Sequence, residues 1–469
     1  MLDLQGIGNN EFDSFFNICN NLVTIIPLTD ECRKYVHILR NDNDSNERGN
    51  WLYGISEDNC NIAFLQKKPL STGFSFPVDM CTSRVYTPLI VKSVTPGVDL
   101  RTFDSIEFYG GIVDILHIPT LAAEFSLADK CIRFVDKNEY TRTYNVEINE
   151  ENFKLSYSVS TADLVLETGN VPDLKTAIHS VLRFDFETEK PLSEIEKYYS
   201  YAMKLFQFCT GHLNIAFEIR LYKNEFSEGK RVANSYPILV KIKDSFHDYA
   251  NDILDLMKVI RLQFFDDKFP KLFKLLNEIN TQPHLLFLTK RNTDKNNILY
   301  TDIGDICVAL EREFSLFPIK SKKTYIEKAQ SLTEDLMNVI DTKNDIPEPV
   351  KKKATDILNS QLKGFSPSLK EKICTLYDDF EQPIKSITEI ENHDKLGISK
   401  FYTLDEFKNR ISKFVDIRNK ASHSGIVWNE GTDIFNHLRL LIYFCILRRA
   451  EYTPKESTCM LSWLFGRLF

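Results

Sequence analysis

The chain has 469 residues, of which 43% are hydrophobic and 26% charged, and its formal net charge is -8. This length predicts two or three domains, and the composition is that of a folded protein rather than a disordered one. The negative net charge argues against a protein that coats nucleic acid indiscriminately, but it leaves room for a local basic site.

Cysteine usage and hydropathy predict the compartment. The ten cysteines are scattered without a C-x-x-C pair, which favours reduced thiols over disulfides or a metal site. The N-terminus lacks the basic start and apolar core of a signal peptide, and no apolar run approaches the roughly 18–20 residues of a membrane span. No phosphate-binding glycine loop is present. We therefore expect a cytoplasmic protein with no membrane contact, no metal and no cofactor.

The first 185 residues are predicted to form strands. Runs rich in β-branched and aromatic residues lie at 84–91, 105–109, 130–135 and 153–159. The last of these runs alternates apolar and polar residues, as a half-buried strand does. Residues 41–47 are polar and predict a loop.

The pattern then changes to a helix and a strand pair. Ser193-Glu194-Ile195-Glu196 has the sequence of a capping box, and helical spacing continues from there to Gly211. Two further strands, at 215–221 and 237–242, are expected to close this module near residue 243.

From Ser245 onward the spacing is helical. Prolines at the breaks separate eight expected helices, at 245–263, 268–280, 298–316, 324–341, 347–362, 367–381, 403–420 and 432–450. The polar stretch 382–400 is expected to be a loop. The apolar stretch 459–469 is too short to span a bilayer, and it is expected either to dock on the core or to contact another copy.

These elements predict an α+β fold in three parts. A β-rich N-terminal domain occupies residues 1–243, and a helical linker region occupies residues 244–294. An all-α helical bundle occupies residues 295–469.

One stretch near the C-terminus carries candidate chemistry. Arg418-Asn419-Lys420-Ala421-Ser422-His423 combines a permanent cation, an amide and a titratable ring. Arg418 continues a predicted buried helical face formed by Leu404, Phe407, Ile411 and Phe414. On an unbroken helix the side chains of Arg418 and His423 would lie roughly 140° apart. To share a site, the helix must end or distort after about Asn419, or a second subunit must complete the site.

These residue types suit RNA cleavage without a metal. RNA supplies its own nucleophile, the 2′-hydroxyl, so His423 can act as general acid or base near neutral pH. The planar guanidinium of Arg418 can hold the phosphoryl oxygens as negative charge builds. The expected products are a 2′,3′-cyclic phosphate and a 5′-hydroxyl, and DNA should be inert. From the residues alone, the alternative is that Arg418 pairs with Asp416 or a first-helix glutamate and that His423 caps a helix end.

The surroundings of this stretch are locally basic. Between residues 400 and 425, six lysines and arginines face three acidic residues. We expect Arg410, Lys413 and Lys420 to contact RNA, and a merely solvated helix face is the alternative. The next helix carries three arginines that are candidates to extend the patch: Arg439, Arg448 and Arg449.

Two parts of the chain resemble known families. The Arg-x4-His stretch, placed between two long helices, resembles the motif of HEPN domains, and Asp416 and Asn419 fit the usual neighbours of that motif. Leu310-Glu311-Arg312-Glu313-Phe314 resembles the acidic helix that often packs against it. Residues 103–111 and the helix ending at Gly211 resemble the N-terminal domain of ApeA-type proteins, which precedes a C-terminal HEPN domain.

The resemblance implies a toxic anti-phage ribonuclease that acts in abortive infection. Arg418 and His423 would be catalytic, Asn419 orienting and Asp416 supportive. Glu311 or Glu313 would supply a further supporting acid. The HEPN domain would form a homodimer or higher homo-oligomer, and the N-terminal domain would sense a phage-derived trigger or restrain the nuclease.

The residues leave alternatives open for both the substrate and the class of protein. We expect a structured cellular RNA such as tRNA as the substrate, because an acidic protein with a small basic site needs shape recognition. One alternative is a non-catalytic RNA-binding or scaffolding protein with a HEPN-like bundle. A third reading is an antitoxin-like partner of a nucleotidyltransferase.

Overall fold

The chain divides into two compact units, Met1–Glu278 and Ile279–Phe469. Strands dominate the first unit and helices the second, which confirms the predicted α+β fold class. The computed structural model describes residues 2–7, 13–19, 22–27, 50–56, 59–66, 69–75, 80–87, 89–126, 131–136, 140–160, 178–212, 215, 217–227, 230–242, 258–278, 300–316, 320–361, 367–388, 401–421 and 432–465.

The strands of the first unit are numbered in chain order. They are β1 (Leu2–Ile7), β2 (Asp13–Cys19), β3 (Leu22–Pro27), β4 (Asn50–Ser56), β5 (Asn61–Gln66), β6 (Pro69–Ser75), β7 (Met80–Tyr86), β8 (Leu89–Ser93), β9 (Thr102–Tyr109), β10 (Ala123–Ser126), β11 (Cys131–Phe134), β12 (Arg142–Ile148), β13 (Glu151–Ser160), β14 (His179–Pro191), β15 (Glu218–Ser227) and β16 (Lys230–Ile242).

Fourteen of these strands form one antiparallel sheet, and β10 and β11 form a separate hairpin. The sheet order is β12-β13-β14-β9-β15-β16-β8-β5-β4-β1-β2-β3-β7-β6. Strand β9 lies between β14 and β15, and its Glu107 is opposite Arg183 on one side and Arg220 on the other. The Arg183 guanidinium contacts the Glu107 carboxylate at 2.9 Å, which places an ion pair on this face of the sheet.

The strands agree with the sequence pattern where it alternates. In β13 the apolar members Phe153, Leu155, Tyr157 and Val159 are all buried. The predicted run 84–91 is two strands, because β7 ends at Tyr86 and β8 begins at Leu89. The predicted loop 41–47 lies outside the described residues.

The described residues of the first unit include the α-helices α1 (Ile112–Leu116), α2 (Ile195–Thr210) and α3 (Phe269–Asn277). Helices α2 and α3 contribute aromatic rings to the core over the sheet. The Tyr198 ring lies 4.5 Å from Phe186, and the Phe273 ring lies 5.9 Å from Phe184. Each such aromatic pair adds about 0.5–1.5 kcal/mol beyond the area it buries.

The predicted capping box at Ser193 is wrong. Residues Leu192–Glu194 form a 3-10 turn, and α2 begins after Glu194 without a side-chain cap. The Glu194 carboxylate instead accepts a hydrogen bond from the Tyr198 hydroxyl at 2.9 Å. The predicted end is confirmed, because Gly211 takes a left-handed conformation with φ 67° and donates its N–H to the Gln207 carbonyl.

The second unit consists of helices in its described residues. They are α4 (Tyr300–Leu316), α5 (Lys320–Thr342), α6 (Glu348–Gln361), α7 (Leu369–Thr388), α8 (Leu404–Ala421), α9 (Thr432–Arg449) and α10 (Pro454–Phe465). Helix α7 packs against α4, α8, α9 and α10, whereas α5 and α6 make their main contacts with each other. From Leu440 to Leu447, helix α9 is apolar on all sides and buried, as a central helix must be.

One expectation for the second unit is corrected, and another, the docking of the C-terminal stretch on the core, is confirmed. Residues 382–388 of the expected loop are helical, because α7 continues through Pro383 to Thr388, and residues 389–400 lie outside the described residues. Proline interrupts helical hydrogen bonding, but Ile384 and Ile387 lie in the core beyond it, and their burial outweighs that cost. The apolar C-terminal stretch is part of α10, which docks on α7 and α9 as far as Phe465.

Capping boxes define the starts of three helices in this unit. Thr403 and Glu406 exchange side-chain and backbone hydrogen bonds at the start of α8. Ser368 with Glu371 does the same for α7, and Thr453 with Glu456 for α10. Among the described helices, none is long and apolar enough to cross a membrane.

Candidate active site

Helix α8 carries Arg418 at the end of a buried face. Phe407, Ile411 and Phe414 are fully buried, which confirms the predicted face, although Leu404 at its start is only half-buried. Arg418 is half-buried, four residues after Phe414, as the spacing predicts. The guanidinium is therefore held beside the bundle rather than free in solvent.

The beginning of α8 is anchored to α7. The ring of Tyr377 stacks on Phe407 with centroids 3.7 Å apart, and its hydroxyl donates to the Tyr402 carbonyl at 2.7 Å. The Glu381 carboxylate of α7 accepts the Leu404 N–H at 3.1 Å. These contacts set the rotation of α8, and hence the direction in which Arg418 points.

Arg418 faces α4, where its charge acts on a buried thiol. Burial raises the pKa of Cys307 to about 12, the positive charge of Arg418 opposes this shift, and the negative charge of Glu311 adds to it. Glu311 itself binds the Lys372 ammonium at 3.1 Å. Among the described side chains, no carboxylate forms an ion pair with Arg418. Neither Asp416 nor a described glutamate of α4 therefore neutralises it.

The structure separates the two candidate supporting acids. Glu311 lies on the same side of α4 as Cys307, toward Arg418, since four residues are about one helical turn. Glu313 is roughly 200° further around the helix. Its carboxylate is 0% exposed and binds the Arg449 guanidinium at 2.6 Å. Glu311 is thus the candidate acid that accompanies Arg418, and Glu313 holds α4 to α9.

The remaining site predictions fall on the outer side of α8 or beyond it. Asp416, Lys413 and Arg410 are exposed, and Arg410 lies over the Tyr402 ring at 5.3 Å. Asn419 and Lys420 are within the helix, which runs to Ala421. His423 lies outside the described residues.

The three arginines of α9 do not form one patch. The Arg449 side chain is 11% exposed and forms an ion pair with Glu313. Arg439 is half-buried over the Phe465 ring. Arg448 is exposed and lies 5.6 Å from the Phe380 ring. Only the last of the three is placed where a solvated phosphate can reach it.

A second polar site, missed by the sequence reasoning, lies in the first unit. It is a pocket of about 250 Å³ lined by His117, Leu121, Val135, Tyr140, Arg142, Tyr157 and Gln263. His117 is buried, and its Nδ1 lies 3.2 Å from the Ser180 hydroxyl. Nothing in the sequence marks these residues, because strands and loops distant along the chain bring them together.

His117 makes the stability of the first unit sensitive to acid. Burial lowers the pKa of His117 to about 4, and the charge of Arg142 lowers it further, against hydrogen bonds to two backbone carbonyls. In the unfolded chain the His117 ring binds a proton below its usual pKa of about 6.5, whereas in the folded chain the ring stays neutral down to a much lower pH. The contribution of His117 to the free energy of unfolding is therefore constant above about pH 6.5, and it falls by about 3 kcal/mol as the pH drops from there to about 4.

The test is a denaturation series from pH 7.5 to 4 on the wild type and on His117→Phe. We expect the variant to lose less stability on acidification, whatever its stability at neutral pH. Equal losses in the two proteins would contradict the prediction.

Comparisons place no further constraint on the site. Among the described residues, no group of three or more His, Cys, Asp and Glu side chains could hold a metal ion. The chain matched no protein-family model, no curated protein and no solved structure at a significant level. The function proposed for the chain therefore depends on the residues of the site.

Proposed function

We propose that this protein is a metal-independent RNA endonuclease of the HEPN type that acts in anti-phage abortive infection. The supporting observation is Arg418, a half-buried guanidinium at the end of an anchored helix with no ion pair to a described carboxylate. A partly buried cation is costly unless a counter-charge approaches it. A phosphate of RNA supplies that charge, and the planar guanidinium matches it in two hydrogen bonds.

The proposed chemistry divides between two side chains. Arg418 stabilises the charge that builds on the phosphoryl oxygens, and His423 moves a proton from the 2′-hydroxyl or to the leaving 5′-oxygen. Asn419 orients these groups, with Asp416 and Glu311 in support. Arg410, Lys413 and Lys420 contact the RNA backbone around them. No cofactor is required, because the substrate contains its own nucleophile.

The site is proposed to be completed by a second subunit. Helix α8 continues two residues past Asn419 to Ala421, so its regular geometry extends most of the way to His423. A five-residue separation on a helix turns two side chains roughly 140° apart. A homodimer resolves this by bringing Arg418 of one copy toward His423 of another. The N-terminal domain would sense a phage-derived trigger or restrain the nuclease in the cytoplasm.

The test of this proposal is the chemistry of the products. Purified protein is incubated with total cellular RNA in the presence of EDTA, and the new ends are mapped. We expect 2′,3′-cyclic phosphate and 5′-hydroxyl ends, with tRNA as the expected target. An RNA with a single 2′-deoxy nucleotide at the mapped position should bind equally well and remain uncut.

Three outcomes would contradict the proposal. They are cleavage of the 2′-deoxy substrate, cleavage that EDTA abolishes, and RNA binding without cleavage in phage-infected and uninfected extracts. The last of these would favour the non-catalytic RNA-binding or scaffolding alternative.

A further inference from the structure

The pocket at His117 lies at the end of the β12–β13 hairpin away from the turn that joins these strands. Arg142, the first residue of β12, is opposite Tyr157 of β13, so their side chains lie side by side on one face. The Tyr157 ring packs against the His117 ring with centroids 5.1 Å apart. Both residues are 2% exposed. These two rings form the floor of the pocket.

Two 3-10 turns complete the walls of the pocket. Leu121 lies on the first turn, and the backbone N–H of Val135 donates to the carbonyl of its last residue at 3.0 Å. Gln263 lies on the second turn, which the Tyr144 hydroxyl holds beside β12 by donating to the Phe265 carbonyl at 3.3 Å. These hydrogen bonds fix the walls relative to the floor.

The lining residues become more exposed from the floor to the mouth. Tyr140 and Val135 are half-buried, and Leu121 is 40% exposed although its side chain is apolar. Arg142 and Gln263 are exposed and form the mouth. The pocket therefore has aromatic and aliphatic inner walls and a polar mouth that carries a cation.

The volume of the pocket limits the size of its occupant. A volume of about 250 Å³ corresponds to about eight water molecules at roughly 30 Å³ each. Pockets that enclose drug-sized ligands are larger, at roughly 300–1,000 Å³. The inner space therefore holds one planar ring system, and the remaining atoms of a ligand lie at the mouth.

The charge at the mouth favours an anion. Burial raises the pKa of the Tyr157 hydroxyl, and Arg142, which lowers this pKa, acts more strongly than Asp266, which raises it. Burial lowers the pKa of His117, so its ring is neutral at pH 7 and adds no charge. The Arg142 guanidinium donates to the Thr141 carbonyl at 2.9 Å, and with five N–H donors it is not saturated by this one bond.

We propose that the pocket at His117 binds a nucleoside monophosphate. The planar base lies against the aromatic rings of His117, Tyr140 and Tyr157. The phosphate meets the Arg142 guanidinium at the mouth. The sugar hydroxyls meet the Gln263 amide, which both donates and accepts hydrogen bonds. An aromatic carboxylate shares the ring and the charge of this ligand, but it has no hydroxyl groups for the amide.

The pocket belongs to the first unit, and its occupancy does not depend on the proposed nuclease. Binding of a monophosphate is measured without RNA, so the two activities are tested separately. A chain that binds the monophosphate and leaves RNA intact would support the pocket and remove only the proposed cleavage.

The experiment is isothermal titration calorimetry of the full chain with AMP, GMP, CMP and UMP in the presence of EDTA. We expect at least one of these to bind at a single site with a dissociation constant below about 1 mM. Its nucleoside should bind at least about tenfold more weakly, because it lacks the anion that forms charge-assisted hydrogen bonds with Arg142. Benzoate, a planar aromatic carboxylate, should also bind more weakly than the monophosphate.

Two variants separate the contribution of the ring from that of the phosphate. Arg142→Gln should raise the dissociation constant of the monophosphate about tenfold and leave that of the nucleoside unchanged. Tyr140→Ser should weaken both by at least about fivefold, the low end of what losing a base–aromatic stack costs. Lys154→Gln is the control, because Lys154 is an exposed cation of β13 that does not line the pocket, and it should bind as the wild type does.

Three results would overturn the inference. The first is the absence of binding by all four monophosphates at millimolar concentration. The second is benzoate that binds as tightly as the monophosphate. The third is monophosphate binding that Arg142→Gln leaves unchanged, and its loss in Arg418→Ala would then place the ligand in the second unit. Arg142→Gln changes an exposed side chain, so this comparison stands even where Tyr140→Ser fails to fold by circular dichroism.

Discussion

Replacing Arg418 or His423 by alanine is expected to lower the rate of RNA cleavage by about 10²–10⁴-fold. The histidine supplies a proton transfer of that magnitude, and the arginine stabilises charge that appears only in the transition state. Arg418→Lys should recover little, because a lysine ammonium cannot form the paired hydrogen bonds of a guanidinium. RNA binding should weaken far less than cleavage in all three variants.

The measurement is single-turnover cleavage of the mapped RNA, together with survival of cells that express each variant. Lys408→Ala is the matched control, since Lys408 is a cation on the same helix that pairs with Asp405 at 3.3 Å. It should retain the wild-type rate. A mixed dimer of Arg418→Ala and His423→Ala subunits tests the composite site, because one of its two sites keeps both groups. Full loss in the mixture would exclude a site shared between subunits.

Breaking the contact between Glu313 and Arg449 is expected to destabilise the helical unit by about 3–5 kcal/mol. The Glu313 carboxylate is 0% exposed and lies 2.6 Å from the guanidinium. Burial and the nearby negative charge of Glu313 also raise the pKa of the Cys445 thiol. Arg449→Met leaves that carboxylate buried without its cation, so it should cost more than Glu313→Gln.

Urea denaturation followed by hydrogen exchange in α4 and α9 measures this loss within the second unit. The control is Lys372→Ala, which removes the partner of the more exposed Glu311 and should cost at most about 1 kcal/mol. Replacing both members, Glu313→Leu with Arg449→Leu, should recover much of the loss. If Arg449→Met unfolds at the wild-type urea concentration, the pair does not hold α4 to α9.

The sequence alone determined the elements with strong periodicity. The alternating residues of β13 and the buried face of α8 follow directly from spacing, because side-chain direction in strands and helices repeats with fixed periods. Spacing also placed Arg418 on the inner side of α8. The motif and its chemistry could be read from the same residues, and they remain a prediction until cleavage is measured.

The tertiary structure decided what spacing could not. Helix α7 continues through Pro383 because residues beyond the proline are buried, and such burial is a property of the packed bundle. Both Glu311 and Glu313 fit an acidic helix in the sequence, but only the packing of α9 shows that Glu313 is taken by Arg449. The pocket at His117 likewise depends on which elements meet. Local periodicity therefore determines where a side chain points, and the neighbouring elements determine what it meets there.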